Sequence, residues 1–203
     1  MKQLFLALAT ILPILASAQP KPSRSFLDCI DLPTEFGVAL SPSGAAQPGV
    51  YFRMSIEYRP QITEGWFISA ELGDFDQKFS NFAVEGMNVS AGTEVNTTLL
   101  AGAGYRFPLV PAKFSLSVAV HGGVALACLQ NVASEQTSLG IYTLEDKNFT
   151  SPAGKMTIEA EYYASKNIAI LASAGYYHYF SPRPLEPRGI GTLVLTAGFA
   201  TFF

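Results

Sequence analysis

The feature that most constrains this chain is a period-two alternation in which charged residues occur on only one of two faces. Eight segments alternate in this way, and such alternation is typical of β-strands whose two sides meet different surroundings. They span residues 35–41, 50–59, 66–73, 95–107, 114–128, 155–163, 168–180 and 190–203. In none of them does a Lys, Arg, Asp or Glu fall on the apolar face. The pattern predicts an all-β chain.

The charged face could lie on either side of a closed sheet. A soluble barrel or sandwich hides its apolar face inside, whereas an outer-membrane barrel turns that face to lipid and keeps the polar one inside. Eight charged residues share the polar face of their strands: Glu35, Arg53, Glu57, Arg59, Glu71, Arg106, Glu159 and Glu161. Other features of the chain have to decide between the two arrangements.

The N-terminus predicts export. Lys2 precedes an apolar run over residues 4–16, and Ala16-Ser17-Ala18 forms a small-x-small cleavage site. Pro13 interrupts the run, which is too short for a membrane anchor because a spanning helix needs about 20 apolar residues. Cleavage after Ala18 would leave Gln19 as the first residue, so we expect a signal peptide over 1–18, a periplasmic leader over 19–33 and a barrel over 34–203. No later apolar run could span as a helix, and a membrane protein without spanning helices has to be a closed barrel.

The connections between strands alternate in length. The stretches "SPSGAAQPG", 74–94, 129–154 and "SPRPLEPRG" are long, whereas "PQITEG", "PLVPAK" and "ASKN" are short, as expected for extracellular loops and periplasmic turns. Aromatic residues on the apolar face flank the short turns and predict an interfacial girdle: Tyr58, Trp66, Phe107, Phe114, Tyr162 and the terminal Phe203. We therefore predict an eight-stranded antiparallel up-and-down transmembrane β-barrel. A soluble periplasmic barrel of lipocalin type, holding an apolar ligand, is the alternative.

The "ASA" cleavage site, the alternating strands and the terminal "AGFATFF" resemble the small eight-stranded outer-membrane β-barrels of the OmpA transmembrane-domain and OmpX type. Gln19 after the cleavage site is similar to small barrels of Bacteroidetes-type bacteria. The resemblance implies a bacterial outer-membrane location, contact with membrane lipid, and recognition of Phe203 by the barrel-assembly machinery. It also implies a structural or adhesive role, in which the long loops bind an extracellular protein or glycan.

An eight-stranded interior is just wide enough for side chains to fill. Unpaired charge there would be costly, so we expect the interior charges to form a network. Arg59, Arg106, Glu57 and Glu161 lie towards the short turns and are expected to block the barrel floor, leaving no open pore. Small residues line the polar face towards the long loops, which suggests a shallow external vestibule above this floor.

Candidate chemistry is sparse. His121 and His178 stand alone, without the spacing of a metal or catalytic cluster, so we predict no catalytic residue, metal site or cofactor. A lipid A-modifying barrel enzyme is the less favoured reading. The mature chain has no basic stripe, which argues against nucleic acid as a partner. Cys29 and Cys128 are expected at opposite ends of the barrel, too far apart for a disulfide.

Overall fold

The computed structural model describes residues 29–41, 46–61, 64–84, 87–136, 140–143, 147–180 and 191–202, with side chains except at 80–91 and 131–147. The predicted cleavage site at Ala18 and Gln19, most of the predicted leader, and the terminal Phe203 lie outside these residues. In the part described, no helix has the length and apolarity needed to cross a membrane.

The described chain forms nine strands joined in one antiparallel sheet. They are β1 (Ile30–Leu40), β2 (Gly49–Tyr58), β3 (Gly65–Val84), β4 (Met87–Val110), β5 (Phe114–Gln136), β6 (Gly140–Thr143), β7 (Lys147–Tyr163), β8 (Ile168–Tyr179) and β9 (Thr192–Phe202). Each strand from β1 to β5 pairs with the next, as do β7 with β8 and β8 with β9. The short β6 pairs with β5, and β5 also pairs with β7. Finally, β1 pairs with β9. The pairing of β1 with β9 closes the sheet, which confirms the predicted eight-stranded up-and-down barrel.

The ninth strand, β6, belongs to a region where the sheet continues beyond the barrel rim. Gly140 pairs with Gln136 and Thr143 pairs with Ala133, so β6 folds back on the far end of β5. β3 and β4 also continue as a paired hairpin as far as Val84 and Met87. The barrel wall is therefore much taller along β3, β4 and β5 than along β1, β2, β8 and β9.

This extension corrects the sequence reading of two long loops. Residues 74–94 belong entirely to β3 and β4 apart from 85–86, and residues 129–154 contribute to β5, β6 and β7. Their strand pattern is weak in the sequence because an outer face above the hydrocarbon layer need not be apolar. Where no lipid contacts the outer face, apolar and polar residues need not alternate along the strand, although the backbone hydrogen bonds between strands continue.

β1 also begins earlier than predicted. It starts at Ile30, so residues 30–33 form part of the barrel wall and not of the leader. This stretch contains Pro33, and proline cannot donate to a sheet ladder. The structure accommodates it on β1 between Asp31, paired with Glu57 of β2, and Thr34, paired with Met54. The partner strand β9 still pairs through this stretch, with Pro33 opposite Ala200.

Candidate functional site

The barrel has its charged face inside and its apolar face outside. On β2, Arg53 and Glu57 are 3% and 4% exposed, whereas Met54 and Ile56, which alternate with them, are 50% and 57% exposed. The structure places all eight side chains of the expected charge network in the interior: Glu35, Arg53, Glu57, Arg59, Glu71, Arg106, Glu159 and Glu161. A soluble lipocalin-like barrel needs the reverse arrangement, so that alternative is wrong.

The interior charges nearest the short turns form what we call the floor cluster, which consists of Asp31, Glu57, Arg59, Arg106 and Glu161. Arg59 is its centre. Its Nη2 atom lies 2.6 Å from Glu57 Oε2, its Nη1 atom lies 3.1 Å from Glu161 Oε2, and its Nε atom pairs with Asp31. Arg106 pairs with the other oxygen of Glu161, and its Nη2 atom is 3.7 Å from Glu57. The four residues expected to block the floor are thus brought together.

Aromatic rings pack against the cations of the floor cluster. The guanidinium carbon of Arg106 lies 4.9 Å from the ring centre of Phe67, and that of Arg59 lies 5.6 Å from the ring centre of Phe202. Tyr163 donates a 2.8 Å hydrogen bond to Glu161 Oε2. The two rings thus add cation–π contacts to the ion pairs of Arg59 and Arg106.

A second group of charges lies further from the short turns. This central cluster consists of Glu35, Arg53, Glu71, Lys155 and Glu159. Arg53 reaches three carboxylates, with Nε 2.9 Å from Glu35, Nη2 2.6 Å from Glu159 and Nη1 3.6 Å from Glu71. Lys155 Nζ donates to both oxygens of Glu71 at 2.9 Å. These ion pairs group the eight expected residues into two clusters.

Two members of these clusters were missed from the sequence. Asp31 was assigned to the leader, although it lies on the inward face of β1 beside Arg59. Lys155 was passed over at the first position of its predicted strand, although it shares the inward parity of Glu159 and Glu161. With them, each cluster contains two cations and three carboxylates. Continuing the alternation of the first strand four residues towards the N-terminus would have found Asp31, and including the first position of its own strand would have found Lys155.

Towards the loop side, the interior is filled by what we call the aromatic cluster, which consists of Tyr51, Phe75, Tyr177 and Tyr179. Leu100 and Val194 pack with these rings, and all six side chains are at most 2% exposed. The hydroxyl oxygens of Tyr51 and Tyr177 are 2.7 Å apart. Lys155 Nζ lies 5.1 Å from the ring centre of Tyr177, so the aromatic cluster rests directly on the central cluster.

Glycines on the inward face make room for these larger groups. A Cβ atom added to Gly73 would lie 2.6 Å from Thr98 Oγ1, 3.0 Å from the hydroxyl of Tyr177 and 3.2 Å from that of Tyr51. One added to Gly123, a residue expected to line a vestibule, would lie 3.1 Å from the side chain of Leu100. Packed side chains fill the interior at this level, so a vestibule would have to lie above it.

The two histidines occupy different surroundings. His121 is buried in the interior, and its Nε2 atom lies 2.7 Å from Ser69 Oγ, while its Nδ1 atom has no partner. His178 is on the exposed side of β8, where its ring packs at 4.8 Å against Phe180. Cys29 and Cys128 are both free thiols.

The outer wall carries the expected aromatic residues around the short turns. Trp66, Phe107 and Tyr162 are 48%, 43% and 51% exposed. Tyr58 and Phe114 are partly exposed, and both lie on the outer face of the barrel. Large apolar side chains such as Val50, Ile68 and Leu99 continue the exposed surface beyond these rings. Apolar exposure on this scale would be unfavourable in water and suits a hydrocarbon environment. Phe203, the sixth residue of the expected girdle, is outside the described residues.

Several solved bacterial surface barrels have a similar fold. Ail, the attachment invasion locus protein of Yersinia pestis, was solved in complex with the heparin analogue sucrose octasulfate. It is 12% identical, with a TM-score of 0.51, over 86% of this chain and 96% of Ail. Neisserial surface protein A is 15% identical, with a TM-score of 0.52, over 86% of this chain and 96% of its own. The outer membrane protein OprG of Pseudomonas aeruginosa is 11% identical, with a TM-score of 0.51, over 85% and 95%.

No protein-family model matches the sequence, and no curated protein sequence matches it. At these low identities, the likeness to Ail, Neisserial surface protein A and OprG shows the fold. That fold agrees with the apolar outer wall and the charged, filled interior described above. The chain has the fold of the small bacterial outer-membrane β-barrels, and its apolar outer wall suits a lipid environment.

Proposed function

We propose that this barrel is a sealed, non-enzymatic surface protein that binds an extracellular partner through the strands projecting beyond its rim. The observation that carries the proposal is the contrast between the two parts of the molecule. The lumen is filled by side chains, whereas β3, β4, β5 and β6 continue outward as a paired sheet. Because the lumen is filled, transport through the barrel has little support. Binding of a partner by the projecting sheet is the activity that the structure supports best.

Three successive layers support a closed lumen. The floor cluster, the central cluster and the aromatic cluster follow one another from the short-turn side to the loop side, and their side chains are almost completely buried. A continuous water-filled path would require several of these ion pairs to separate. Separating a buried pair without replacing the partner leaves a desolvated charge, which is strongly unfavourable.

The charge of the projecting segments bears on the partner. Residues 74–94 contain four acidic residues and one basic residue, and residues 129–154 contain three acidic residues and one basic residue. This excess of negative charge would repel a sulfated polyanion of the kind bound to Ail. We therefore propose a protein or an uncharged glycan as the partner.

An enzymatic role finds less support. Ser69 and His121 form a serine–histidine pair with an Oγ–Nε2 distance of 2.7 Å, which is the contact expected of a nucleophile and its base. Both side chains, however, are buried inside the barrel, at 7% and 5% exposure. His121 Nδ1 lacks the hydrogen-bonded partner that would orient the ring for catalysis. We therefore propose that Ser69 and His121 help to fill the interior and have no catalytic role.

The test is a shortened hairpin. Replacing residues 79–92 with Asn-Gly would join β3 and β4 just beyond the Lys78–Thr93 pair by a favoured two-residue turn. Bacteria displaying the full chain should adhere to surfaces coated with extracellular-matrix protein or with a neutral polysaccharide, and not to surfaces coated with heparin. Those displaying the shortened chain at equal surface density should lose this adherence. Equal adherence of the two strains, or adherence to heparin alone, would contradict the proposal.

The assembly signal is a separate proposal. Leu195 and Phe199 point outward along β9, at 44% and 47% exposure, while Phe202 points inward at 4%. In the sequence, Phe203 continues the alternation that Leu195 and Phe199 follow. We propose that this alternating apolar face, ending in Phe203, is what the barrel-assembly machinery recognises.

A further inference from the structure

The outer wall of the barrel contains a concave groove that the proposed function does not use. Its volume is about 480 Å³, and five neighbouring strands, β9, β1, β2, β3 and β4, contribute to its lining. The lining includes Leu32, Thr34, Met54, Ala70, Leu72 and Phe199. A typical small-molecule site has a volume of about 300–1,000 Å³, so the groove is large enough to hold a ligand.

The strand register explains how the groove forms. Phe199 of β9 pairs with Thr34 of β1, Thr34 pairs with Met54 of β2, and Met54 pairs with Leu72 of β3. In this row the short side chain of Thr34 lies between a phenylalanine and a methionine. On β3, Ala70 is a second short residue, directly before the inward-pointing Glu71 and two positions from Leu72. Short residues among long ones produce a depression in a wall that is otherwise lined by large apolar side chains.

We propose that this groove binds one acyl chain of a glycerophospholipid from the membrane leaflet on the short-turn side. The outward side chains that line it are apolar apart from the hydroxyls of Thr34 and Thr201, and none of its lining residues is basic. Glu71 and Ser55 also border the groove, but their side chains are buried in the interior. Recognition is therefore by shape and apolar contact with the hydrocarbon chain and not by a headgroup.

The depth of the groove identifies the leaflet. Met54 lies four residues along β2 from the girdle residue Tyr58. With a rise of about 3.3 Å per residue and a strand tilt of about 40°, Met54 is about 10 Å from the level of that ring. Because the apolar band of such a barrel is about 25 Å tall, this part of the groove lies in the half nearer the short turns.

The shape of the groove argues against a second copy of the chain as the occupant. A two-fold dimer brings the same patch of both subunits face to face. Two concave grooves would then meet and leave unfilled space, which close-packed protein interfaces avoid. A flexible hydrocarbon chain has no such restriction and is already present around the wall.

Brominated lipids provide a direct test, because bromine quenches tryptophan fluorescence only at contact. Trp66, the only tryptophan, is first replaced by phenylalanine. In that background Met54→Trp reports on the groove, and Ile158→Trp reports on the opposite wall. Met54 lies four residues from Tyr58 and Ile158 four from Tyr162, so the two probes have matched depths on exposed positions.

The full-length variants are placed in vesicles of branched-chain diphytanoyl phosphatidylcholine that contain an increasing fraction of straight-chain phosphatidylcholine brominated in its chain. Half-maximal quenching of Met54→Trp should need about fourfold less brominated lipid than that of Ile158→Trp, because a straight chain fits the groove better than a branched one and buries roughly one further methylene there. Adding Ala70→Leu, which fills the groove, should remove this difference while the folded barrel still migrates as a compact band on electrophoresis. Superimposable curves for the two probes would overturn the proposal.

A second measurement avoids the tryptophan substitutions. The unmodified barrel should retain phospholipid through detergent exchange, detected by mass spectrometry, and Ala70→Leu should retain less. Equal retention by the two proteins would count against the site. Efficient disulfide cross-linking of Leu72→Cys between copies in vesicles would also overturn it, because a second copy would then occupy the groove.

Discussion

Replacing Arg106 with methionine is the most informative change to the barrel floor. Arg106 is 1% exposed, pairs with Glu161, and lies near Glu57 and the ring of Phe67. Methionine keeps most of the length of the side chain and removes its charge and its hydrogen bonds. The floor cluster would then hold one cation, Arg59, against three carboxylates.

The size of the effect follows from burial. Removing one partner of a buried ion pair typically costs about 3–5 kcal/mol, because the other partner keeps its desolvation penalty without the compensating attraction. Here Glu161 is completely buried, and it would retain only Arg59, at 3.1 Å, as a charged partner. We expect Arg106→Met to lower the free energy of unfolding by about 3–5 kcal/mol. Lys113→Met, in the exposed turn after β4, should change it by no more than about 0.5 kcal/mol.

Urea titration of the barrels in lipid vesicles gives these free energies from the unfolding midpoint and slope. The double variant Arg106→Met/Glu161→Gln tests the cause, because it removes the stranded carboxylate together with its partner. It should recover more than half of the loss, which gives a favourable coupling between the two sites. A loss below about 1 kcal/mol in Arg106→Met, or a double variant no more stable than the single one, would refute the reasoning.

The remaining predictions concern the wall, the C-terminus and the aromatic cluster. In the same urea titration, Leu195→Arg should lower the free energy of unfolding by about 2–4 kcal/mol, whereas Leu109→Arg, near the interface, should lower it by about 0–1 kcal/mol. Equal losses would contradict the assigned depths of the two residues. Deleting Phe203 should reduce the amount of barrel inserted in the outer membrane, measured by surface labelling, and undiminished insertion would defeat the proposed assembly signal. Gly73→Val should destabilise the barrel by about 1–3 kcal/mol, chiefly through its clash with Thr98 Oγ1, and combining it with Thr98→Ala should relieve part of that loss.

The barrel architecture could be predicted because a membrane protein obeys a simple rule along each strand. The alternation of Met54 and Ile56 with Arg53 and Glu57 follows from the opposite requirements of lipid and interior. The requirement holds only where lipid touches the wall. Above the membrane both faces of β3 and β4 can be polar, so the projecting hairpin reads as a loop.

The partners inside the barrel could be predicted only in part. The alternation identified which side chains share the interior, including Arg59 and Glu161. These two meet although β2, which Arg59 directly follows, and β7, which carries Glu161, are not neighbours in the sheet. Which of them meet depends on the stagger of the strands around the barrel, and the sequence does not specify it. The aromatic cluster was hidden for a similar reason. Gly73 reads as an open position in the sequence, and only the fold shows that Tyr51 and Tyr177 occupy the space beside it.

The most direct test of the sealed lumen is the conductance of the purified full-length barrel in planar lipid bilayers at neutral pH. With the floor cluster, the central cluster and the aromatic cluster in place, the unmodified protein should show little or no steady current. Insertion is verified in parallel by the protease resistance of the wall in vesicles made from the same lipid. Stable, large channels in the unmodified protein would contradict the closed interior and would identify the molecule as a small porin.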